Sequence, residues 1–218
     1  MNDAVLSFDE IRQDFPAPGR KAAIRVVDGI SLEVGSGKFV AVIGPSGCGK
    51  STLLQMAAGL LMPTRGQVRH RGRNVDAVNR EVGFVPQQAQ LFPWKTLAEN
   101  VELPLLLRGV AAVERRARVA AALDAQTRMV MQDDLQALSR DAGATVLFVT
   151  HDITEAVLLA DNVAIMSQRP SRLLANIPIN LPRPRNVFEP FKNDGYEAAY
   201  DAVWSVFRSQ IDIRQRTH

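Results

Sequence analysis

The stretch Gly44-Pro45-Ser46-Gly47-Cys48-Gly49-Lys50-Ser51-Thr52 constrains this chain more than any other, because it sets glycines, a lysine and hydroxyls at the spacing that wraps backbone around an anion. Gly44, Gly49, Lys50 and Ser51 fit the pattern G-x-x-x-x-G-K-[ST]. The glycines allow a tight turn that aims consecutive amides inward, and a helix beginning there adds its positive end. In such a loop Lys50 supplies a point charge for the β and γ phosphates. Ser51 offers its hydroxyl to Mg²⁺, and Thr52 sits beside the phosphates nearer the base.

The flanking residues supply the setting that this pattern requires. Lys38-Phe39-Val40-Ala41-Val42-Ile43 is a short apolar run rich in β-branched residues and reads as a buried strand. Ser51 to Leu60 carries Leu53, Leu54, Met56 and Ala57 without a proline and reads as a helix ending near Gly59.

With 218 residues, 46% of them hydrophobic and 22% charged, the chain has the make-up of one globular domain with a large core. The net charge is only +3, and basic residues fall in short scattered groups such as Arg69, Arg71 and Arg73. They read as solvated faces and point away from a nucleic-acid partner. Cys48 is the single cysteine, so one chain can form neither a disulfide nor a cysteine metal centre. The N-terminus has no basic start or apolar core of a signal peptide, and no run nears the roughly 18 apolar residues of a span. The expected location is cytoplasmic, with any work at a membrane done through a partner.

Taken in order, Ala4 to Phe8 and Ala22 to Val34 are strand-like around a turn at Asp28-Gly29, giving a small antiparallel sheet. Gln13 to Gly19 reads as a loop whose Phe15 either stacks on a base or staples the sheet. Gln67 to Val75 suggests a strand and hairpin, and Glu81 to Val85 another strand running into a loop that carries Gln87. Thr145 to Val149 reads as a buried parallel strand, with His151 just past its carboxyl end, where open α/β sheets place ligands.

Three stretches in this order, G-P-S-G-C-G-K-S-T, V-P-Q-Q-A-Q-L-F-P-W and T-H-D-I-T-E-A, resemble the Walker A, Q-loop and H-loop of the ATP-binding subunit of ABC transporters. L-F-P-W-K-T-L-A-E-N-V and R-P-S-R-L-L-A-N-I-P-I-N-L-P-R-P-R resemble the branch that imports nitrate, taurine and aliphatic sulfonates. The resemblance implies an α/β fold, a P-loop NTPase core of parallel sheet and helices, plus a small antiparallel β subdomain. It further implies that Phe15 stacks on adenine and that the loop from Gly44 to Thr52 holds ATP. By the same likeness Gln87 senses Mg²⁺ and the attacking water, and His151 contacts the γ phosphate. Expected partners are a second ATP-binding subunit and a transmembrane permease near Gln87 to Trp94, with Phe92 and Trp94 in contact. A periplasmic or extracellular solute-binding protein joins indirectly, and the complex sits on the inner face of the membrane. The single cassette divides into a core at 1–95 and 143–180, a helical segment at 96–142 and a C-terminal tail at 181–218.

The pattern departs from the family between Gln87 and His151. An L-S-G-G-Q-like signature and an apolar strand ending in Asp-Glu, the Walker B, are both missing there. The family's pattern resumes at Leu123-Asp124-Ala125-Gln126, as though one internal segment had been removed near Ala122. Residues 111–142 contain neither glycine nor proline, so the flanking helices are expected to fuse and leave Asp124 as an ordinary helix residue. Losing a water-polarising base typically costs about 10²- to 10⁴-fold in rate, and Asp133, Asp134 and Asp152 are the nearest spare carboxylates. Two functional readings stand: an ATP-hydrolysing importer subunit, or a nucleotide-binding or permease-docking protein without turnover. A GTPase or nucleoside kinase is the third, opposed by the absence of N-K-x-D.

Overall fold

A computed structural model describes residues 4–17, 19, 23–85, 92–124 and 143–215. Among them residues 4–84 and 143–215 form one compact unit, and 85 with 92–124 belong to another.

The first unit contains two four-stranded sheets. One is antiparallel: β1 (Ala4–Phe15) lies between β2 (Ile24–Gly35) and β4 (Arg65–His70), and β5 (Arg73–Asn74) continues the edge. Every second residue of β1 turns inward, Leu6 and Phe8 and then Ile11 and Gln13, with a shift of register between the pairs. Glu10 sits at that shift with φ 49, and the Ser31 hydroxyl there accepts from the Glu10 amide at 3.0 Å.

Two local expectations fail here. Asp28-Gly29 makes no turn: β2 runs straight through it, Gly29 taking φ 75 as a bulge opposite the irregular stretch of β1. Gln13 to Phe15 belong to β1 and are not a loop, because their cross-strand partners Val27, Arg25 and Ile24 extend the ladder. An Asp-Gly pair favours a hairpin turn and a bulge alike, and only the partner strand decides which.

The second sheet has the order β6-β3-β7-β8, from β3 (Phe39–Ile43), β6 (Val146–Val149), β7 (Asn162–Met166) and β8 (Leu173–Pro178). β3 pairs in parallel with β6 and β7, and β8 adds antiparallel to β7. All five residues of β3 are buried, as a central parallel strand demands. β6 is only half-buried and has β3 as its one strand partner among the described residues. Glu81 to Val85, expected as a strand, forms none, and Val85 is 84% exposed. An apolar run becomes a strand only when a neighbouring ladder takes up its amides, and this one has no such neighbour among the described residues.

Helix α1 (Lys50–Ala57) follows the glycine loop and is capped by Ala58, after which Gly59 takes φ 66. A Cβ on Gly59 would stand 1.9 Å from the Ala77 carbonyl oxygen, so the close approach admits only glycine. In the second unit α2 (Leu97–Leu107) and α3 (Ala112–Asp124) pack on each other, tied by Arg115 Nε to Glu102 at 2.8 Å. Thr96 and Glu99 form a capping box at the start of α2. The expected fused helix is helical through α3, and the rest of its span lies outside the described residues. Back in the first unit, helix α4 (Ile153–Leu159) joins β6 to β7, and α5 (Tyr196–Gln215) closes the C-terminal part.

Asp161, at the entry to β7, fastens the parallel sheet. Its carboxylate accepts from the Phe39 amide at 2.8 Å and from Arg183 at 2.9 Å, while its own amide donates to Phe39 O at 2.7 Å. Burial opposes the charge, yet the Phe39 amide and the Arg183 guanidinium together hold the carboxyl below its ordinary range. A depressed folded pKa contributes stability above the unfolded value, near 3.8, and that stability is lost as the pH falls through the folded one. Asp161→Asn is therefore expected to flatten the acid limb of a denaturant-derived stability profile below about pH 4, while lowering stability at neutral pH. An unchanged acid limb would contradict this role.

Candidate nucleotide site

The loop from Gly44 to Gly49 leaves the carboxyl end of β3 and enters α1, as the motif requires. Its curvature comes from two left-handed glycines, Gly47 at φ 76 and Gly49 at φ 104, the latter being the N-cap of α1. Gly44 is needed for space: a Cβ there would stand 2.8 Å from Cys48 Sγ and 3.0 Å from Met166 O. The Cys48 amide donates to Pro45 O at 3.3 Å and closes the turn.

Lys50 folds back into the loop. Its ammonium donates to Gly44 O at 2.7 Å and Pro45 O at 3.0 Å, so the charge stands inside the ring of backbone. Cys48 is buried beside it, and burial pushes the thiol up, away from a reactive thiolate. Ser46, Gly47 and Ser51 are exposed, and Thr52 and Pro45 are partly so. The open face of the loop therefore carries backbone, one cation and the Ser51 hydroxyl on the first turn of α1. One protein hydroxyl suits Mg²⁺, which keeps most of its ligands as water and phosphate oxygens.

β6 delivers His151 to the same edge of the sheet. Val149 is in register with Val42, and the Thr150 amide donates to Val42 O at 3.2 Å, so His151 follows where β3 turns into the loop. His151 is exposed, and both neighbours fix its backbone. Thr150 Oγ1 accepts from the Asp152 amide at 3.0 Å and donates to Glu155 at 2.6 Å. Asp152 caps α4, accepting from the amides of Thr154 at 2.8 Å and Glu155 at 3.3 Å. Asp152 is thus engaged as a cap; Asp133 and Asp134 lie outside the described residues.

Phe15 ends β1, partly buried against the core of the antiparallel sheet. Gln87 lies outside the described residues. The rings of Phe92 and Trp94 lie 5.3 Å apart in the second unit, tilted by 49°, and the two residues are 42% and 76% exposed. Among the described residues no cluster of three His, Cys, Asp or Glu could hold a metal ion, and no helix is long and apolar enough to cross a membrane.

No sequence signal pointed to what braces the loop from outside. Ser171 donates its amide to Val26 O at 2.9 Å and its hydroxyl to the same oxygen at 3.0 Å, and Ser171 O accepts from the Asp28 amide at 2.9 Å. Asp28 also pairs with Arg172 at 2.7 Å, which is the first cause of its depressed carboxyl pKa. R-P-S-R at 169–172 was visible in the sequence, yet nothing in its spacing ties it to a loop 122 residues earlier.

The ABC transporter family model matches residues 27–174, which takes in most of β2, the loop, α1 and both strands beside it. The chain belongs to the ABC transporter family. A putative ATP-binding protein of Brucella abortus (strain 2308) is 38% identical over 246 residues, with 91% of this chain and 94% of the relative covered. The aliphatic sulfonates import ATP-binding protein of Bacillus subtilis (strain 168) is 32% identical over 242 residues, covering 91% of this chain and 92% of its own. Both alignments are longer than the 218 residues available, so each relative has residues without a counterpart in this ABC protein. Among solved structures, a dimeric post-hydrolysis ATP-binding cassette bound to ADP and Pi superposes with a TM-score of 0.69 at 22% identity, covering 80% of this chain and 99% of that one. That likeness establishes the α/β cassette fold.

Proposed function

We propose that this chain is the ATP-binding subunit of an importer for a small solute such as nitrate, taurine or a sulfonate. The loop itself supports the reading best: left-handed glycines and an inward-folded Lys50 at the carboxyl edge of β3, with His151 brought to that edge by β6. In this reading the amides of Gly47 to Ser51 cradle the phosphates, Lys50 turns from the loop carbonyls toward the β and γ oxygens, and His151 meets the γ phosphate. Phe15 offers its exposed face to adenine, and Thr52 lies nearer the base. Ser51 and Gln87 would hold Mg²⁺, which supplies charge neutralisation of the phosphates when bound.

The proposed assembly is a pair of such subunits on the inner face of the membrane, docked to a permease through Phe92 and Trp94 and served by a solute-binding protein. Its cassette comprises the core at 1–95 and 143–180, a shortened helical segment at 96–142 and the C-terminal segment at 181–218. The sulfonate importer relative supports the branch, and its 32% identity leaves the solute to experiment.

A second reading, nucleotide binding without turnover, draws on the carboxylates next to His151. Asp152 caps α4 and Glu155 accepts from Thr150, so both are committed to holding the loop. ATP turnover of the purified chain beside a Lys50→Ala control separates the two. The hydrolysing reading expects turnover above the control, though about 10²- to 10⁴-fold below a carboxylate-equipped relative. Turnover equal to the control with binding retained selects the second reading, and loss of both rejects nucleotide handling altogether.

A further inference from the structure

The loop between β7 and β8 lays a guanidinium on the phosphate loop. Arg169 Nε donates to the carbonyl of Gly47, and a Cβ on Gly47 would stand 2.5 Å from Arg169 Nη2 and 3.4 Å from its Cζ. Only a glycine at φ 76 lets the side chain come so close.

The mount of Arg169 is rigid on both sides. Gln168 donates to Gln210 O at 2.7 Å, and Ser171 carries the amide and hydroxyl bonds to Val26 described above. Ser167 and Arg172 close the loop on themselves, the Ser167 amide donating to Arg172 O and the Arg172 amide to Ser167 Oγ, both at 2.9 Å. Arg169 nevertheless stays exposed while it holds the Gly47 carbonyl. Lys50 grips the carbonyls of Gly44 and Pro45, whereas Arg169 grips that of Gly47, so two cations share one short arc of backbone. A guanidinium can hold a carbonyl through Nε while its terminal nitrogens remain donors to an oxyanion.

We propose that Arg169 is a positioning residue of the nucleotide site, which fixes the Gly47 peptide and adds a second positive charge beside the polyphosphate, making affinity depend on phosphate number. This inference rests on the nucleotide reading above. A fixed cation beside the loop gains more from a triphosphate than from a monophosphate, because the attraction scales with ligand charge, whereas simple packing of the loop would favour both alike.

The test is an equilibrium titration of the full chain with fluorescent ATP and AMP analogues, for wild type, Lys50→Ala, Arg169→Ala, Arg169→Lys and Arg169→Gln. Arg169→Ala is expected to weaken the triphosphate about tenfold and the monophosphate less than about twofold. Arg169→Lys keeps the charge and should recover about half of that loss on a logarithmic scale, whereas Arg169→Gln, an N–H donor without charge, should resemble alanine. Wild-type triphosphate affinity in Arg169→Ala, equal factors for both ligands, or equal behaviour of the lysine and glutamine variants would overturn the inference. Should Arg169→Ala fail to fold, the lysine-to-glutamine comparison decides alone. A wild type binding no better than Lys50→Ala overturns the nucleotide reading and this inference together, whereas an intact wild type with an unaffected Arg169→Ala overturns only the inference.

Discussion

Arg185→Met is expected to lower the unfolding free energy by about 3 to 4 kcal/mol, well beyond the change that an ordinary surface substitution brings. The reason is the carboxyl end of α4. A helix leaves its last four carbonyls without intrahelical donors, and here two arginines of the C-terminal segment supply them. Arg185 donates to Val157 O at 2.9 Å, Leu158 O at 3.3 Å and Ala160 O at 2.7 Å, and Arg183 to Leu159 O at 2.9 Å. The second Arg185 terminal nitrogen reaches Ile179 O and Leu181 O, so one guanidinium, only 3% exposed, ties the helix to the chain beyond β8. Burial, helped by neighbouring Arg183, pushes its pKa down to about 10, which leaves it cationic at neutral pH and matched to the negative helix end. Methionine fills the volume and satisfies none of the five carbonyls. A thermal midpoint lower by roughly 10 °C is the expected result for a chain of this size, and a shift below about 2 °C would refute that role.

Gly49→Val is expected to abolish nucleotide binding, with at least about a hundredfold rise in Kd, because the site depends on a backbone shape that a β-branched residue resists. Gly49 sits at φ 104, a region that such a side chain enters only under strain of about 1 to 3 kcal/mol. A Cβ there would also stand 2.9 Å from Val27 Cγ2 and 3.1 Å from Val26 Cγ1, which belong to the antiparallel sheet and are themselves buried. The substitution must shift the loop, the first turn of α1 or β2, and any of these changes the backbone shape on which the proposed phosphate site depends. Titration of the variant with a fluorescent ATP analogue beside circular dichroism at low temperature checks this. Wild-type affinity in a folded Gly49→Val chain would show that loop curvature is not what binds.

What the sequence disclosed and what it withheld follow from the range of the interactions involved. The glycine loop, β3 and α1 were legible because their determinants are local: an apolar β-branched run, glycines, a lysine and an apolar helix follow one another directly. His151 was legible by position, since a run such as Val146 to Val149 can only end at a sheet edge. Local signals misled where the partner strand decides. Asp28-Gly29 carries turn chemistry, yet β1 imposes a bulge, and Asp28 instead anchors Arg172 and Ser171. Glu81 to Val85 carries strand chemistry, yet no described strand pairs with it. Arg169 and Arg185 were present as letters in an R-P-S-R and an R-P-R, but their work is done at Gly47 and at the end of α4, separations that no pattern of spacing encodes.

If the backbone from Gly47 to Ser51, with Lys50, is the seat of a nucleoside triphosphate, a crystal structure of the full chain with Mg²⁺ and a non-hydrolysable ATP analogue must show it. The expected density places the β and γ phosphates against those amides, with the Lys50 ammonium moved from the Gly44 and Pro45 carbonyls to their oxygens and His151 facing the terminal phosphate. Nucleotide bound elsewhere on the molecule while this loop keeps its own lysine would contradict it.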